Sequence, residues 1–79
     1  MTGGTLAARV VADRNGRRRL QYLTGWHVTG RWPEWSYDHH RADVLRGSDA
    51  DAARWRDLLR RDGIEAHTIR EADHADRTA

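Results

Sequence analysis

Cysteine is missing from this 79-residue chain, and so is lysine. Without cysteine there is no disulfide framework to support a small fold, and nothing points to an oxidising compartment. All fourteen basic residues are arginine. Arginine codons are GC-rich and lysine codons are not, so this bias suggests a high-GC bacterium, or a phage that grows in one. It carries no function by itself. Long apolar runs are also missing, so neither a signal peptide nor a membrane span is expected. The expectation is a soluble cytoplasmic protein (host cytoplasm if phage-encoded) with no membrane partner.

Strong aliphatics are scarce, and a chain of this length buries only about 60% of its unfolded surface. Four tryptophans and two tyrosines must therefore supply much of the core. Such a thin domain gains from self-association. One domain over 1–79 is expected, with 1–5 and 73–79 as flexible tails. The isoelectric point of 9.9 overstates the field. Fourteen arginines face twelve carboxylates, a net charge of +2. The basic excess falls in the first forty residues.

The clearest local signal is a helix. Ser48 reads as its N-cap, with Asp49 and Asp51 where the helix dipole favours acids. Ala52, Trp55, Leu58 and Leu59 form one apolar stripe. Gly63 supplies a left-handed stop, and Ile64 folds back on Leu59. Residues 64–71 then read as a last strand, reached by what would normally be a right-handed parallel crossover.

Upstream, 6–13 and 20–28 have strand composition, the second with a bulge at Gly25. Asn15-Gly16 between them is the signature of a two-residue type I′ hairpin. That turn puts Arg14 beside Arg17, Asp13 beside Arg18 and Val11 beside Leu20. Leu6, Val10 and Leu23 then share one face, and Val11, Leu20 and Tyr22 the other. A ribbon apolar on both faces needs two covers, which hints at a homodimer. Gly30 and Pro33 punctuate the next loop. If the chain reverses there, Trp35 faces Val28 and Tyr37 faces Trp26, and 42–46 continues the third strand. The expected fold is α+β: a small sheet of three to four strands, in order β-β-β-α-β, with one amphipathic helix packed on a face.

Two surfaces carry functional readings. Arg14, Arg17, Arg18 and Arg19 crowd the hairpin tip, where guanidinium forks could grip nucleic-acid phosphates. The plainer reading is a solvated turn whose charge guards an edge, and alternation sends Arg18 to the face opposite Arg17 and Arg19. Arg31, Trp32 and Trp35 form the second candidate, with the residue types enriched in protein-contact hot spots. Trp26 and Tyr37 are assigned to the core, and Trp32 to an exposed loop.

Five histidines raise the question of metal, but His39 and His40 on a strand would point to opposite faces. Glu34, Asp38 and Asp43 have no acid/base spacing, and phosphate-loop and nucleophile motifs are missing. No metal, cofactor or catalysis is expected. The leading expectation is a small non-enzymatic accessory protein that contacts another protein and self-associates as a dimer. The alternative is a nucleic-acid-binding module that uses the basic tip and the Trp-rich loop.

Overall fold

A computed structural model describes residues 3–27, 30 and 32–73 of the chain. Strands β1 (Thr5–Ala12), β2 (Arg18–Trp26) and β3 (Pro33–Ser36) precede helix α1 (Asp49–Arg61) and strand β4 (His67–Arg70). They form one four-stranded sheet in the order β3-β2-β1-β4, antiparallel throughout, with α1 packed on a face. Thr5, assigned to a tail by its small and Gly-rich surroundings, is the first residue of β1 and is buried. No helix among the described residues is long and apolar enough to cross a membrane.

The first hairpin does not turn as Asn15-Gly16 suggests. Type I′ geometry needs positive φ at both central residues, yet Gly16 alone in this turn has it (φ 77°). Asp13 explains why. Its Oδ1 accepts the amides of Asn15 and Arg17, both at 2.9 Å, and its backbone pairs with Arg17 and Gly16. The side chain thus stabilises a three-residue turn over 14–16 with Gly16 in the left-handed position. The register slides by one residue, so Val10 rather than Val11 faces Leu20, and Ala8 faces Tyr22.

One residue of slip regroups the faces. Leu6, Ala8 and Tyr22 are buried on one side with Val44, and Leu20 and Ile69 pack at their margin. Ala7, Leu23, Leu59 and Ala66 are buried on the other, with Trp26, Trp35, Leu45, Trp55 and Ile64. The helix covers the second face, and the returning segment lays His39 and Val44 over the first. The chain therefore supplies both covers itself, and the two-sided ribbon no longer argues for a dimer.

Residues 42–46 form no strand. Ser36 and Asp38 end β3 with side-chain turns, Ser36 Oγ accepting the Asp38 amide and Asp38 Oδ1 the His40 amide. Arg46 then pins the returning loop. Its guanidinium grips the Glu71 carboxylate (2.9 and 3.0 Å) and donates to the carbonyls of His39, Arg41 and Val44. Leu45 bonds to the Leu23 carbonyl, and Gly47 exchanges two hydrogen bonds with Thr5.

This return path also corrects the crossover. The loop carries the chain back to the Thr5 end of the sheet before α1 begins, as the Thr5–Gly47 bonds and the Thr5–Asp49 hydrogen bond mark. The helix then travels toward the hairpin tip, so β4 must come back antiparallel beside β1. A parallel crossover makes only one traverse, and here the chain makes two.

The helix itself follows local rules. Ser48 and Asp51 form a reciprocal capping box. At the other end, Ile64 donates to the Leu59 carbonyl and Gly63 to that of Arg60, with Gly63 at φ 81°. These are the two bonds of a Schellman ending. The buried stripe runs through Ala52 and Leu59, flanked by half-buried Trp55. Leu58 is 43% exposed, because it lies a hundred degrees of helical rotation from Leu59 and off the sheet.

Candidate interaction face

Beyond the end of the helix contact, the helix-side face of the sheet carries an arginine–aromatic ladder. The Arg9 guanidinium lies 4.2 Å from the Trp35 ring centroid, and that of Arg19 lies 4.1 Å from Tyr37. Gln21 sits between them and accepts from Arg9 Nε at 2.9 Å. The register builds the ladder. Arg9 is opposite Gln21, Val11 opposite Arg19, and Leu23 opposite Trp35, so these side chains share one face. Trp35 packs its inner side against the Leu59 cluster and offers its outer side to Arg9. Partial burial lowers the Arg9 pKa from its ordinary value, with the nearby Tyr37 acting in the opposite sense.

No carboxylate among the described residues forms an ion pair with this charge. Arg9, Arg14, Arg17, Arg18 and Arg19 have no ion-pair partner among the described residues. Asp13, the acid nearest the tip, spends its carboxylate oxygen on the turn amides. Pairs form elsewhere: Arg41–Asp43, Arg46–Glu71, Arg54–Asp51, Arg56–Asp57 and Arg70–Asp49. The ladder face therefore attracts negative charge and has stacked guanidiniums fixed in place to receive it.

The residues singled out from sequence fall into separate places. Arg14, Arg17, Arg18 and Arg19 are all exposed at the hairpin tip. Arg17 and Arg19 belong to the helix-side face and Arg18 to the opposite one, as alternation requires. Arg31 lies outside the described residues, as does Val28, the expected partner of Trp35. Trp32 is 59% exposed in the loop after β2, where its carbonyl accepts the His27 amide and its ring lies 6.3 Å from that of His27. The tip and this loop are at opposite ends of β2, so they do not make one surface. Trp35 is half-buried on the edge strand β3, packed against the Leu59 cluster, and does not join Trp32.

The expected Trp26–Tyr37 cluster does not form either. Trp26 pairs with Pro33, four residues before Tyr37, because the strands already meet at the His27–Trp32 backbone bond, and Tyr37 is 46% exposed beneath Arg19. Arg9, Gln21 and Tyr37 were missed in the sequence. The alternation of Arg9 with Val10 and of Arg19 with Leu20 carried the signal, but a one-residue error in register hid the grouping.

The histidines also differ from expectation. His39 and His40 occupy a turn rather than a strand, and their ring centroids are 3.9 Å apart. His39 is buried against Tyr22, with Nδ1 3.6 Å from Glu71 Oε2. Glu71 is itself held by Arg46, whose hydrogen bond keeps the carboxyl below its ordinary pKa. Among the described residues no group of three or more His, Asp or Glu side chains is arranged to hold a metal ion. No protein-family model, curated protein or solved structure matches the chain.

Proposed function

We propose that this chain is a small non-enzymatic binding protein, of high-GC bacterial or phage origin, that works by contact with another protein. A cytoplasmic setting is part of this reading. The observation that carries it is the pair of stacks, Arg9 on Trp35 and Arg19 on Tyr37, whose arginines have no ion-pair partner among the described residues. Arg, Trp and Tyr are the residue types that dominate contact energies. Stacking holds their rotamers before binding, which lowers the ordering cost of association. The partner would present carboxylates to the guanidiniums and an apolar or aromatic group to Tyr37.

The closing experiment is recovery of a partner on immobilised protein after nuclease treatment. Retention should be lost with Arg19→Glu and with Tyr37→Ala, and kept with Ala50→Ser on the exposed start of the helix. Retention unchanged by both ladder substitutions overturns this reading.

Nucleic acid remains a second reading for one specific reason. The unpaired arginines at the tip project to both faces of a two-stranded ribbon, as a ribbon seated in a groove requires. Binding would then weaken with a log–log salt slope of about −0.9 per phosphate contacted on duplex DNA. Arg17→Ala with Arg19→Ala would flatten that slope by about two units. Micromolar protein that shifts neither duplex nor single strand at low salt removes this alternative.

A further inference from the structure

Strand β4 covers only half of β1. Its pairing runs from Thr5↔Arg70 to Ala8↔His67 and stops there. The remaining length of β1 toward the tip has β2 on one side and, among the described residues, no strand on the other. Backbone direction along β1 is settled by two hydrogen bonds. The Asp13 amide points to Arg17 on the β2 side, and the Gly4 carbonyl points to Glu71 on the β4 side. Alternation therefore aims the N–H and C=O groups of Val10 and Ala12 outward, at the open edge. Val10 is 47% exposed there and Ala12 is exposed. The edge lacks the usual guards, since Val10, Val11 and Ala12 include no charge, no proline and no bulge.

We infer that this open edge of β1 pairs with the same edge of a second copy of the chain, making a symmetric antiparallel dimer with one continuous sheet. Self-pairing suits this segment by charge as well as by backbone. The register that uses both outward residues of each copy sets Val10 opposite Ala12 of the second copy and Val11 opposite Val11 of the second copy. Pairing stops before Ala8, the position that His67 already occupies. The groove beside the edge is lined by Val10, Val11, Ala12, Arg18, Glu65 and His67, so it offers both signs of charge to a copy of itself. Across a two-fold axis perpendicular to the sheet, facing residues stay on the same side. Both arginine–aromatic ladders would then look the same way, giving a partner two equivalent contact faces. This dimer does not depend on the partner reading above.

A pairing this short buries less than a standard interface, so association is weak and dilution-sensitive. Analytical ultracentrifugation should show the mass rising from 9.1 kDa toward twice that value between about 10 µM and 1 mM. Val10→Lys should weaken association at least tenfold while leaving the thermal melt nearly unchanged, since the position is exposed and edge lysines oppose pairing. Val11→Cys supplies a specific probe in a chain without cysteine. Directly opposed residues that share no hydrogen bonds have Cα atoms about 4.5 Å apart, within reach of a disulfide. A mild thiol oxidant should therefore cross-link Val11→Cys at least tenfold faster than Ala50→Cys on the helix. A strict monomer at 1 mM, equal cross-linking rates, or a dimer indifferent to Val10→Lys each overturns the inference.

Discussion

The two ends of this molecule use arginine differently. From Arg41 onward, the described arginines other than exposed Arg61 meet carboxylates or carbonyls of the same chain, and the most shielded pair, Arg46–Glu71, holds the loop over the sheet. In the hairpin, arginines stack on rings or point into solvent, and none meets an acid among the described residues. Exposed pairs such as Arg54–Asp51 add little, so the contrast is not one of summed ion-pair energy. It is a contrast in availability: charge already neutralised by the fold serves the fold, and charge left open serves something outside it.

That contrast can be broken most forcefully at the core. Leu59→Ala should cost about 2–5 kcal/mol, because Leu59 is fully buried between the helix and the sheet. Val10→Ala on the open edge should cost less than about 1 kcal/mol. Urea unfolding of the two variants tests this, and comparable losses would mean the hairpin belongs to the structural core.

Next in size is Arg46→Ala, expected to cost about 3 kcal/mol by leaving Glu71 shielded without its partner and by releasing three carbonyls. Arg19→Ala should lose no more than about 1 kcal/mol, the worth of an exposed cation–π stack. Equal losses in chemical denaturation would erase the distinction between the two arginine sets.

The same pair predicts an acid dependence. Arg46 keeps the Glu71 carboxyl below the ordinary glutamate value, and Asp49 and Asp51 are lowered in the same direction by Arg70 and by the Ser48 backbone amide. Groups with depressed folded values contribute fully above their unfolded values. Their contribution is lost as pH falls from the ordinary carboxylate range through the lower folded values. Thermal melts from pH 7 downward should fall in that window, and Arg46→Ala should reduce the fall.

Gly63→Ala should cost about 1 kcal/mol, purely from the left-handed backbone, since an added Cβ meets nothing within 4 Å. The smallest stability effect belongs to Arg17→Ala, expected within about 0.5 kcal/mol because that side chain is exposed. If it destabilises substantially, the tip is part of the fold after all.

The helix was legible from its own residues because its signals span only a few positions. Ser48, Asp51, Gly63 and Ile64 act within one turn of each end, and the bonds they form are the ones their spacing implies. The α+β composition and the strand order along the chain were legible for the same reason. The tertiary structure decided the rest. Asp13 competed with Asn15-Gly16 for the turn and won by capping two amides. Its one-residue shift chose which side chains share a face, and so whether Arg9 and Trp35 meet at all. Val44, Arg46 and Glu71 decided that a segment with strand composition would serve as a lid instead. Turns and caps are settled by near neighbours, but register and face depend on contacts between residues distant in sequence, and the interaction ladder exists only at that level.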